Sequence, residues 1–241
     1  MKNIAAIFIK ELYSYFVSVI AYIVIIGFIA ISGLFFTSAL ARYSFSQDSV
    51  EFVTAVLFGN MSVMLLFITP LLTMRLFAEE KKSGTIELLM TAPIRDTEVV
   101  IGKFLASWVL LVGMLLLSFI FPILMTQYGN PDFGPIFSSY LGLILLGSCF
   151  LSLGIMISSM TKNQIVAAFV SFGVLLFLWV IGFISNQAGV LGSIFGYISL
   201  IEHFDYFSRG IVGLKHIVYY LSFIIVCLFL TVKSVESAKW R

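Results

Sequence analysis

The chain has 241 residues, 61% of them apolar and 11% charged, and a net charge of +2. A soluble globular domain is about half apolar and about a quarter charged, so a water-facing fold is excluded and membrane integration is the first expectation. No nucleic-acid partner is expected.

Residues 2 to 15 read as a helix lying on the membrane surface. Ile4, Phe8, Leu12 and Tyr15 fall on one side, and Lys10, Glu11 and Ser14 on the other. A frayed leader is the plainer alternative. The first span is placed near 16–41. Ala39-Leu40-Ala41 looks like a signal-peptidase site, but the apolar run is much longer than the roughly 7–15 residues of a signal core, and acidic Glu11 precedes it. A second span is placed near 52–74, with Pro70 a candidate kink.

Charge then clusters between Arg75 and Lys103, the segment 75–102 before the third span. Glu79-Glu80-Lys81-Lys82 reads as a hydrated stretch. Ser83-Gly84-Thr85 supplies turn and capping chemistry to a short apolar helix, Ile86 to Met90, which Pro93 ends. Asp96 or Thr97 is the expected cap of the next helix, with Glu98 in its first turn. The short helix suits either the lipid interface or an apolar groove with a charged rim on a soluble partner.

Further spans are placed near 103–126, 136–160, 164–185 and 216–234, about 20 apolar residues being needed for each. Pro122 is a second candidate kink, and Gly182, Gly189, Gly192 and Gly196 loosen the end of the fifth span. The fold class is thus an all-α integral membrane protein with six spans, one domain over 1–241. With both termini cytoplasmic, eleven of the fourteen Lys and Arg residues lie inside, leaving Arg42, Arg209 and Lys215 outside.

The external segment 186–215 carries an apolar stripe, Leu200, Ile201, Phe204, Phe207 and Ile211. Its polar side is Glu202, His203, Asp205 and Arg209, as in a helix seated in the outer leaflet. Anchoring is the first reading; a lid, exit gate or dock for an external subunit is the second. A metal site at Glu202, His203, Asp205 and His216 is not expected, because adjacent residues on a helix point apart and Asp205 with Arg209 suits an i,i+4 ion pair. Tyr13, Tyr15, Trp108, Trp179 and Trp240 read as interfacial anchors or packing residues.

Several chemistries are disfavoured. No ionisable residue crosses the centre of a span, which disfavours proton relays, ion-coupled carriers and voltage sensors. Gly102-Lys103 lacks the remainder of a phosphate loop, so no cofactor is expected in this chain. Cys149 and Cys227 lie in spans without metal-ligand spacing. An intramembrane enzyme lacks a catalytic set, whereas a membrane anchor or scaffold acting on an external partner stays open.

The run from Phe77 to Pro93, with Gly102-Lys103-Phe104-Leu105-Ala106, closely resembles the cytoplasmic segment of ABC-2 type transporter permeases. Ser158 to Ala168 resembles that family's turn between the fourth and fifth spans, and Glu202-His203-Phe204 through Phe207 and Arg209-Gly210 its external segment. Glu-His-Phe and the ending Lys233 to Trp240 are most similar to permeases of the gliding-motility and nitrous-oxide-reductase maturation groups.

The resemblance implies a half-transporter in the bacterial inner membrane, paired with a second permease, the same or related, and two copies of a separate ABC ATP-binding subunit. ATP and Mg would be bound in that partner subunit. Coupling would rest on Glu79, Glu80, Gly84, Thr85, Ile86, Glu87, Leu88, Leu89, Met90 and Thr91. Small residues at four-residue spacing mark close packing, within the chain before a dimer seam for any one set: Gly33/Thr37/Ala41, Gly102/Ala106, Ser148/Ser152, Gly154/Ser158 and Ala167/Ser171. The resemblance would put the dimer seam on the first and fifth spans, at the Gly33 and Ala167 sets.

Overall fold

Apolar runs of this length become helices because lipid offers no partner to backbone N–H and C=O groups, which must pair within their own segment. The computed structural model describes residues 2–45, 50–85, 94–185 and 196–238. Among them are ten helices and no strand: α1 (Lys2–Val17), α2 (Val19–Phe45), α3 (Val50–Thr73), α4 (Arg75–Ser83), α5 (Asp96–Ser118), α6 (Ile120–Met125), α7 (Phe133–Met160), α8 (Gln164–Ser185), α9 (Leu200–Ser208) and α10 (Leu214–Ala238). Six stretches are long and apolar enough to cross a bilayer, namely Val19–Arg42, Glu51–Ser83, Asp96–Met125, Phe133–Met160, Gln164–Gly182 and Leu214–Ser237. They correspond to the six expected spans. Gly189, Gly192 and Trp240 lie outside the described residues.

Helix α7 is the post around which the others stand, and α3, α4, α5, α8, α9 and α10 all pack on it. Its composition explains this. Gly142, Gly147 and Gly154 leave room for Phe207, Leu111 and Thr73 respectively, and a Cβ at any of the three would collide with its neighbour. Ser148 accepts the indole N–H of Trp108 at 3.0 Å, which places that tryptophan within the bundle. By contrast α2, α8 and α10 bury few of their side chains, and the apolar ones they expose form the surface that lipid covers.

Two spans are interrupted, for different reasons. α3 continues through Pro70 to Thr73; the joint with α4 falls at Met74, where the Ser158 hydroxyl enters the helical ladder. It accepts the N–H groups of Phe77 and Ala78, both at 3.2 Å, and donates to the Met74 carbonyl at 3.0 Å. The joint between α5 and α6 falls at Phe119, three residues before Pro122, as a proline that clashes with the preceding turn requires.

The seam expectation is corrected at Ala167 and Ser171. Both are buried within the chain, and Phe67 of α3 lies 4.9 Å from the neighbouring Phe172 ring. Small residues on the fifth span therefore serve internal packing, and its exposed face is Ile165, Val166, Phe169, Val170 and Phe177. Gly33 also faces inward, toward Phe121, while Thr37 and Ala41 are exposed.

Candidate functional site

The charged segment is held from both ends. α4 closes at Gly84, whose φ of 74° is left-handed and open to glycine without a Cβ penalty. Glu79, Gly84 and Thr85 are exposed. Ile86, Glu87, Leu88, Leu89, Met90 and Thr91, the body of the expected coupling helix, lie outside the described residues.

Beyond them α5 begins with Arg95, and not Asp96 or Thr97, at its N-cap. The Glu98 carboxylate folds back to accept the Arg95 N–H at 3.2 Å, which supplies the cap that a hydroxyl or Asp side chain was expected to give. It also accepts the Asn3 amide at 3.0 Å, tying the start of α1 to the start of α5.

Two turns along α5 lies Lys103, 1% exposed. Its three donors are all engaged: Glu11 of α1 at 2.9 Å, Glu80 of α4 at 2.9 Å and the Leu76 carbonyl at 2.7 Å. Lys10 stands 3.4 Å from the Glu80 carboxylate and 3.6 Å from that of Glu11. Gly102 permits this meeting, because a Cβ there would sit 2.8 Å from Ile7 and 3.3 Å from the Ile4 carbonyl. Burying three ions is tolerated only where the geometry and further hydrogen bonds offset desolvation. Here they largely do, although Glu80 Oε2 is buried without a hydrogen-bond partner among the described residues.

These contacts correct the expectations at Glu11 and Glu80. Glu11 belongs to the inward face of α1 with Ile7 and Tyr15, not to its water side. Of the two readings of Tyr15, packing is the one met: it is buried, its hydroxyl donates to the Leu72 carbonyl at 2.8 Å, and Arg75 lies 4.6 Å from its ring. Burial pushes the Tyr15 phenol up, so it stays a neutral donor. The stretch 79–82 is hydrated only in part: Glu79 and Lys82 are exposed, whereas Glu80 enters the buried cluster and Lys81 donates to the Ser159 carbonyl. A cleft of about 260 Å³ opens beside the cluster, bordered by Lys10, Glu11, Arg75, Glu79, Glu80 and Thr85.

Sequence reasoning chose Glu79 and Glu80 but passed over Lys103 and Glu11. The signal was present. Glu11 follows Ile4 and Ile7 and precedes Tyr15 at helical spacing, and Lys103 is an ionisable residue at the edge of a span.

At the other end of α7, Glu202, His203, Phe204, Phe207, Arg209 and Gly210 form or follow α9. His203, Phe204 and Phe207 are buried, and Ile211 is exposed. One member of the expected polar side is corrected: α9 lays its apolar stripe on α7, where Ser138 donates to the Phe207 carbonyl at 2.7 Å, and His203 faces the interior with it. Gly210, with φ of 84°, ends the helix against Pro135. Asp205 and Arg209 pair at 2.6 Å on the exposed side. A cleft of about 570 Å³ lies between Asp132, Phe137 and Leu141 and the turn at Arg209 and Val212. Among the described residues no three His, Cys, Asp or Glu side chains come together as a metal site.

Six apolar spans and an ion cluster at one end define a multi-pass, all-α membrane protein. Residues 5–233 match the ABC-2 family transporter protein, and the chain belongs to that family. Its members are the transmembrane subunits of ABC transporters, and ATPase activity lies in partner subunits. Comparison with individual curated proteins gives no match.

Proposed function

We propose that the chain is an exporter permease whose cytoplasmic segment, residues 75–102, receives the movement of a separate ATP-binding subunit. Two copies of that subunit and a second permease, the same or related, complete the assembly. Both termini face the cytoplasm of a bacterium, and the membrane is its inner membrane. The subgroup resemblance extends the reading to a gliding-motility type complex.

The observation that carries this reading is Lys103. Lys103, just after the segment, pairs both with Glu80 within it and with Glu11 of α1. A displacement of the segment therefore reaches the second span, the third span and α1 through one ammonium group. ATP can bias the spans only through contacts that differ between two states, and a joint clamped at both ends carries such a bias as a rigid body.

The test is recovery of the tagged chain from native membranes in mild detergent, with bound proteins identified by mass spectrometry and ATP hydrolysis assayed. A phosphate-loop ATPase is expected with the wild type and lost with Leu88→Asp. A chain that purifies alone, under conditions that preserve other complexes, overturns the reading.

A further inference from the structure

The other end of the bundle holds the chain's two histidines, His203 on α9 and His216 on α10, with their Nδ1 atoms 2.6 Å apart. The tautomers follow from the neighbours. His203 Nε2 lies 3.2 Å from the Tyr197 carbonyl, which can only accept, so Nε2 carries the proton. Neutral His203 then presents a bare Nδ1, and His216 must donate its Nδ1–H to it. Each ring is also stacked on a tyrosine of the other helix: His203 on Tyr219 at 4.0 Å and His216 on Tyr206 at 4.3 Å.

We propose that His203 and His216 form a proton-operated latch, which holds α9 to α10 while the pair shares one Nδ1 proton and releases it when both imidazoles are protonated. One added proton is accommodated, because an imidazolium can still donate to a neutral partner. A second places N–H against N–H at 2.6 Å and sets two positive charges together.

The surroundings favour the closed, neutral pair. α9 contributes Glu202, drawn back against Gly196, and Asp205, paired to Arg209. α10 contributes Lys215, Tyr219 and Tyr220, and the turn before α9 contributes Tyr197, whose ring lies 5.1 Å from the Lys215 ammonium. α7 brings Cys149, which donates to the Tyr220 carbonyl. Asp132 before α7 and Glu51 at the start of α3 are the remaining carboxylates of these elements at this end, and α8 has no charged residue.

Burial pulls His203 below the ordinary imidazole range, with the charges of His216 and Lys215 acting the same way and Glu202 opposing. A depressed imidazole means the open form takes up protons first. The latch is therefore fully present above the ordinary imidazole pKa of about 6.5 and is lost as pH falls below it.

Amide hydrogen exchange on the full chain in lipid nanodiscs, at about pH 7.5 and about pH 5 with exchange times scaled to the intrinsic rates, reads the latch directly. Protection over 200–213 is expected to drop at the acid pH by on the order of tenfold, the weight of one buried hydrogen bond. His216→Phe keeps a ring on Tyr206 without a titrating group, and His203→Gln removes the other member; both are expected to abolish the acid step. Equal wild-type protection at the two pH values overturns the latch, as does an undiminished step in either variant. If His216→Phe loses protection along the whole chain, His203→Gln decides.

Discussion

Lys103 concentrates the electrostatic risk of this molecule in one side chain. Replacing it with Met leaves Glu11 and Glu80 facing each other with only the exposed Lys10 beside them, and removing one partner of a buried ionic group destabilises by about 3–5 kcal/mol. Lys103→Met is therefore expected to lower the thermal unfolding midpoint in detergent markedly. Adding Glu11→Gln and Glu80→Gln to the same chain is expected to restore much of the loss, because no buried charge remains unpaired. A triple variant as unstable as the single one would show that the ammonium matters for packing and not for charge. Ser158 makes a smaller, related prediction. Ser158→Ala strands the Phe77 and Ala78 N–H groups in the interior, a loss of about 1–3 kcal/mol for each unsatisfied group, read by the same midpoint.

Among the elements, α1 owes its seat to a missing side chain on α5. Gly102→Leu puts atoms where Ile7 and the Ile4 carbonyl lie, so α1 is expected to lift away while the six spans stay inserted. Cysteines at Asn3 and Glu98, side chains now in contact at 3.0 Å, are expected to crosslink in the parent and not with Gly102→Leu. α9 illustrates the limit of pattern reading. Its stripe of Leu200, Phe204 and Phe207 was legible and is buried, but the stripe does not say what covers it. The cover is chiefly α7, with α8 beside it, and His203 moves from the water side to the interior.

For the molecule as a whole, the proposed orientation, which rests on the distribution of basic residues, puts the α4–α5 end in the cytoplasm. A membrane-impermeant maleimide is expected to label Ser83→Cys only in inverted vesicles and Ser208→Cys only from the outside, with little background from buried Cys149 and Cys227. The reverse pattern sinks the proposed orientation. If a second permease seats on the fifth span, Phe169→Cys, on the exposed face, is the position expected to crosslink between chains. Ala167→Cys, buried against the same chain, is expected to stay monomeric.

The chain's composition and its charge-free runs determined that this is a six-span helical membrane protein, because a hydrocarbon solvent leaves the backbone little choice. The motif between Phe77 and Ala106 was likewise legible in order of residues. Tertiary structure alone decided which charges meet. Glu11, Glu80 and Lys103 are far apart in sequence, and only the packing of α1 on α5 and of α4 on α7 removes them from water together. The same holds for His203 and His216, whose shared proton depends on side chains of two helices meeting at 2.6 Å. Helical periodicity gives a side chain its face; the partner that face meets is set by which helices pack and by the glycines that let them approach.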